Sequence, residues 1–145
     1  MRKMIFWSTL SLALCGAFAS RALGAGGGFT LVVNAQNGVS SLSASEVKRV
    51  LSGGTKVWES GAVVQLGLAP GDAGGMQYLA GAVDTTPREL LSMLQQQVFK
   101  GELRRPVVLR SSADCFAFAS QTPGALCVAA TGVPVPAGAK VVALR

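Results

Sequence analysis

Helix-start signatures and short β-branched runs alternate along residues 30–144, and this alternation leaves few architectures open. Ser43 stands three residues before Glu46, the spacing of a capping box, with Leu42 and Val47 placed as the hydrophobic staple around it. Val47, Val50 and Leu51 then fall on one helical face, and Gly53-Gly54 stops the helix. Thr86, Pro87 and Glu89 supply a second cap, a first-turn proline and a second box. Leu90, Leu91, Leu94 and Val98 give that helix its apolar face, and it ends near Lys100-Gly101. A shorter helix is expected over 76–83, and Ser111, Ser112 and Asp114 open a last one that runs to about Ala119. Between the helices, residues 30–34, 62–68, 106–109, 125–129 and 139–144 read as strands. Strands alternating with helices predict an α/β domain, with a mixed or largely parallel sheet of about five strands flanked by helices.

The N-terminus reads differently. Arg2 and Lys3 precede an uncharged apolar run from Met4 through Ala19, and small residues follow at Ala22, Gly24 and Ala25. That is the layout of a secretory signal peptide, and the run is shorter than the ~20 apolar residues a spanning helix needs. Residues 1–25 are therefore expected to be a signal peptide and residues 26–145 a single domain in the periplasm or outside the cell, with no membrane span after cleavage. The alternatives are an uncleaved anchor and lipidation at Cys15, where Leu14 is larger than the small residue lipid attachment prefers. Cleavage removes Arg2, Lys3 and Arg21 and no acid, so the net charge drops from +6 to +3. The remaining cations form no dense basic stripe, and nucleic acid is not an expected partner.

Two cysteines remain after cleavage, Cys115 and Cys127. An even count in an oxidising compartment favours a disulfide, with two buried free thiols as the alternative. The chain contains no histidine. This removes the commonest general base and the commonest metal ligand together, so neither nucleophilic catalysis nor a metal site is expected. No cofactor is implied, and the chain does not read as an enzyme.

Several stretches carry a resemblance when taken in order. Leu42-Ser-Ala-Ser-Glu-Val-Lys-Arg-Val-Leu-Ser-Gly53 is followed by Trp58 and Gly61; later come Val98-Phe-Lys-Gly101, Arg105-Pro-Val-Val-Leu109, Ser111-Ser112 and Gln121-Thr-Pro-Gly-Ala125. Over roughly residues 29–145 this resembles the phosphate-binding proteins of ABC transporters. The resemblance implies one lobe of a type 2 periplasmic binding protein. It is similar to the small stand-alone proteins of that group rather than to the two-lobed members that close around an anion.

The resemblance also points to where an oxyanion would sit. Such sites use backbone N–H groups at helix N-termini, hydroxyls and often an arginine. In the family the main loop carries an Arg and then Gly-Ser-Gly-Thr. Here the aligned stretch is Leu66-Gly-Leu-Ala-Pro-Gly-Asp-Ala-Gly-Gly75, without the Arg, Ser or Thr. The candidate oxyanion ligands are therefore Gly71, Asp72, Ala73 and Gly74 at one helix start and Ser111 and Ser112 at another. Asp72, Ser111 and Ser112 have a plainer role as helix caps. Lys100, Arg104, Arg105 and Arg110 gather around the third strand and could attract an anion or an acidic partner, or form a solvated rim. Trp58 reads as a packing residue.

Two functions fit these residues. One is an extracytoplasmic solute-binding-protein-like module that binds phosphate or another small oxyanion in association with ABC transport. The other is an envelope protein–protein interaction module that has kept the fold without the ligand.

Overall fold

Strand β1 (Phe29–Asn34) sits inside a sheet whose other strands all run against it. The computed structural model describes residues 28–145. The expected signal peptide, residues 1–25, and Cys15 lie outside the described residues. The elements that follow β1 are β2 (Ser41–Leu42), α1 (Ala44–Leu51), β3 (Gln65–Leu68), α2 (Ala73–Ala82), α3 (Pro87–Phe99), β4 (Val107–Val108), α4 (Ser112–Gln121), β5 (Ala125–Ala130) and β6 (Ala139–Leu144). The six strands form one sheet in the order β2-β6-β1-β5-β3-β4. β1 is antiparallel to both neighbours, while β2–β6, β5–β3 and β3–β4 pair in parallel. The expected α/β class with a mixed sheet is what the described residues form, with six strands rather than about five.

Side-chain alternation along the strands divides the core into two layers. Leu31 and Val33 of β1 join Leu66 and Leu68 of β3, Leu126 and Val142, and this face is covered by α1, α2 and α3. Val32 points the other way, into a smaller cluster with Ala125, Cys127 and Ala129 of β5 and with Cys115, Phe116 and Ala119 of α4. Gly67 of β3 lies on this second face. A Cβ there would come within 2.9 Å of the Phe118 ring, so the missing side chain is what lets α4 pack closely. Cys115 and Cys127 form a disulfide that ties α4 to β5 inside the same cluster.

The local signals read from the sequence hold to different degrees. Both halves of the first capping box are present: the Glu46 N–H donates to Ser43 Oγ (3.2 Å), and the Ser43 N–H donates to Glu46 Oε2 (2.7 Å). The second box is only half formed. Thr86 accepts from the Glu89 N–H, but the Glu89 carboxylate takes the Thr85 hydroxyl at 2.8 Å instead of the cap amide. α2 begins at Ala73 rather than Met76, because Asp72 caps it through the Gly75 N–H and brings three residues of the glycine-rich bend into the helix. The expected strand over 62–68 is confined to Gln65–Leu68, with Val63 in an isolated bridge to Val57. Ser41–Leu42, read as loop and staple, forms the two-residue strand β2 on β6.

Candidate functional site

In sheets with parallel strands, ligands collect outside the carboxyl ends of the strands, where helix N-termini converge. The carboxyl ends of β3, β4 and β5 lie together here. The Leu109 N–H donates to the Leu68 C=O at 2.7 Å, so the loops leaving β3 and β4 start side by side. The first loop leads through Pro70-Gly71 into α2, the second through Arg110-Ser111 into α4. All six candidate oxyanion ligands therefore stand at one end of the sheet. They do not share one cleft: α2 packs on the face that buries Leu31 and Val33, whereas α4 packs on the face that buries Val32. Among the described residues no hydrogen bond links the two groups.

The start of α2 is occupied by the chain itself. Asp72 Oδ1 accepts from the Gly75 N–H at 3.2 Å, and the Asp72 C=O accepts from Met76. The Phe29 ring lies over the same turn: a Cβ on Gly74 would sit 2.6 Å from Phe29 Cζ, and one on Gly75 would sit 2.9 Å from Asp72 Oδ2. Phe29 also stands against Tyr78, one turn further along α2, with ring centroids 6.4 Å apart and planes tilted by 34°. Burial pushes the Tyr78 phenol above its ordinary range. The glycines that could have admitted an anion thus accommodate an aromatic ring and a carboxylate. Gly71 and Ala73 are exposed, and nothing stands within 4 Å of a Cβ placed on Gly71.

The start of α4 is similarly engaged. Ser111 Oγ accepts from the Asp114 N–H (3.2 Å), and Asp114 Oδ2 accepts from the Arg110 N–H (3.1 Å). Ser112 Oγ accepts from the N–H of Ala130, the last residue of β5, at 2.9 Å. Both serines therefore do structural work, and Ser112 joins helix to sheet. Each helix start carries a carboxylate, Asp72 or Asp114, which favourably meets the positive end of the helix dipole and would repel a second anion. Trp58 is a packing residue: it is buried, and its Nε1–H donates to the Gly124 C=O at 3.0 Å.

A different concavity lies between α3 and the carboxyl ends of β3 and β4. α3 turns only part of its apolar stripe inward. Leu90 and Leu94 are buried, while Leu91 and Val98 stay half covered and line a groove of about 680 Å³ with Phe99, Arg105, Pro106 and Val108. Phe99 is 93% exposed and Val108 73% exposed, the largest values among the large apolar side chains of the described residues. Sequence reasoning places the α3 stripe correctly but misses the groove, which is left because, among the described residues, the sheet ends at β4 and no element covers the remaining half of the stripe. Phe99 carried the available signal, as a large apolar residue just past the last inward position of a helix.

Among the described residues, no three His, Cys, Asp or Glu side chains come together as a metal cluster, and no helix is long and apolar enough to cross a membrane. No protein-family model matches the chain, and no curated protein matches it in sequence.

Proposed function

We infer that the chain is an exported, non-catalytic module on a solute-binding-protein-like lobe, and that it works by engaging a protein partner rather than by holding a free oxyanion. The observation that carries this reading is the self-satisfaction of both helix starts. Asp72 and the Phe29 ring fill the turn that opens α2, and Ser111, Ser112 and Asp114 are engaged at α4. An anion at either place would compete with a carboxylate already bonded there and with bulk water, because one lobe alone cannot enclose it. Export is supported by the charged, apolar and small-residue order of residues 2–25 and by the Cys115–Cys127 disulfide, a bond that persists in oxidising compartments.

Isothermal titration with phosphate and with sulfate at low salt tests this. The expected result is no saturable heat and no thermal shift at millimolar anion. Saturable binding in the micromolar range would overturn it.

A second reading keeps phosphate or a related oxyanion as the ligand, in association with ABC transport. It is favoured by one observation: Arg110 and Ser111, neighbours in sequence, are both exposed at the start of α4 and set a cation and a hydroxyl beside a helix N-terminus. Ser111→Ala together with Arg110→Ala would abolish anion heat under this reading and change nothing under the first.

A further inference from the structure

The groove beside β4 combines three features among the described residues: an apolar lining, a strand edge with no neighbour and a cation, Arg105. Leu91 and Val98 of α3 line one side, with Phe99 at its exposed margin, and Leu68, Pro106 and Val108 line the other. β4 is the last strand of the sheet. The Leu109 N–H is turned toward β3, where it bonds Leu68. The alternation of a parallel ladder then turns the N–H and C=O of Val108 outward, to the free edge.

The charge is equally directional. Between Lys100 and Arg110 the chain carries Lys100, Arg104, Arg105 and Arg110, all exposed, against a single acid, Glu102. Glu102 is already paired with Lys56 at 3.0 Å. Of these, Arg105 lines the groove and is the one charged side chain that does, whereas Arg104, Glu102 and Lys56 border a separate depression.

We propose that this groove docks an extended segment of a partner protein, pairing with the Val108 edge, its apolar side chains on Leu91, Val98 and Phe99 and an acidic residue on Arg105. The inference rests on the interaction-module reading above and names the class of partner. Strand addition matches the outward backbone groups of Val108, which a docked helix would leave unpaired. Pro106 lacks an N–H and the strand is two residues long, so the ladder contributes few bonds and the apolar lining and Arg105 supply most of the affinity. A second copy of this chain is the wrong occupant, because a twofold contact here would bring the two Arg105 side chains together with no acid of the groove between them.

The test uses the chain with its disulfide intact and two short dye-labelled peptides that share a valine-rich core, one flanked by glutamates and the other by lysines. Fluorescence anisotropy is expected to show binding of the glutamate peptide alone, weakened as salt rises through the range that screens surface charge. Phe99→Ser and Arg105→Glu are each expected to weaken it by about tenfold or more, while Lys140→Glu on β6, at the other side of the sheet, leaves it unchanged. Amide shifts on binding should centre on residues 107–109 and on the second half of α3. Equal binding of both peptides, absence of binding, unchanged affinity in Phe99→Ser, or shifts centred on another face would each overturn the proposal. So would a concentration-dependent dimer that Phe99→Ser dissolves. A phosphate titration run beside it separates the two levels: saturable phosphate binding overturns the interaction-module reading itself, whereas peptide failure without phosphate binding overturns the groove alone.

Discussion

The Phe29 ring lies in the space that a side chain on Gly74 would need, with Cζ 2.6 Å from where that Cβ would stand. Glycine inside a helix ordinarily costs roughly 0.5–1 kcal/mol relative to alanine. Gly81, in the same helix, has nothing within 4 Å of its would-be Cβ, so Gly81→Ala should raise stability by about that amount. Gly74→Ala should do the opposite and lower it by about 1–3 kcal/mol, as overpacking does. Combining Gly74→Ala with Phe29→Ala should recover part of that loss. Urea midpoints of the four variants check the pattern, and stabilisation by Gly74→Ala alone would show that Phe29 does not hold this place.

What the sequence discloses and what it withholds follow sequence distance. The Ser43–Glu46 box spans four residues and appears as read, as does the buried stripe of Leu90 and Leu94. Phe29 and Gly74 are 45 positions apart, and nothing near Gly74 announces an aromatic ring above it. The glycines of 71–75 therefore read as an anion cradle when two of them are spaces for Phe29 and for the Asp72 carboxylate. Thr85 intercepting Glu89 is local but unreadable, since Thr85 and Thr86 offer the same hydroxyl. The groove is invisible for a third reason: only the strand order tells that β4 is an edge and that, among the described residues, nothing covers Leu91, Val98 and Phe99.

The disulfide joins residues separated by 12 positions, with Cα atoms 6.0 Å apart, and both cysteines are buried between α4 and the sheet. In the chain-entropy description a loop of this size constrains the unfolded chain by about 3 kcal/mol. The double variant Cys115→Ala, Cys127→Ala should accordingly lower the urea midpoint by about 1–3 M, given the usual slopes for small domains. Because the sulfurs are covered, dithiothreitol should reduce the native protein slowly and the urea-unfolded protein quickly. Equal rates in the two states would contradict the burial.

The Gly124 carbonyl accepts two donors, Trp58 Nε1–H at 3.0 Å and the Gln65 N–H at 2.9 Å. Trp58→Phe removes one of them but leaves the carbonyl paired, so its cost combines a lost hydrogen bond with lost ring volume, about 1–3 kcal/mol in all. Gly124→Ala should cost more. Its Cβ would run into the Val63 carbonyl, and that obstacle is backbone, which cannot rotate aside as a side chain can. Thermal melts of the two variants should rank in that order, and a Gly124→Ala protein as stable as the parent would rule out the close approach of this turn to residues 63–64.

The α1 capping box makes a prediction about acid. The Ser43 backbone N–H, and after it the Ser43 hydroxyl, hold the Glu46 carboxyl below its ordinary value of 4.5, with smaller contributions from Arg145 and Arg49 and partial opposition from desolvation. A carboxylate whose folded value is depressed stabilises the fold above the unfolded value and loses that contribution as pH falls through the folded one. The stability difference between the parent and Glu46→Gln should therefore be constant near neutrality and shrink as pH drops below about 4.5. The cause ranks the partners as well. Arg145 reaches Glu46 only at 3.8 Å between exposed groups, an arrangement of little energetic weight. Ser43→Ala, which removes the cap hydroxyl at a cost of about 1 kcal/mol, should move the Glu46 titration upward more than Arg145→Ala does, and added salt should leave most of the depression in place. Carboxyl titration by carbon-detected NMR measures all three, and a titration that returned to its ordinary value in salt would assign the depression to the arginines instead of the box.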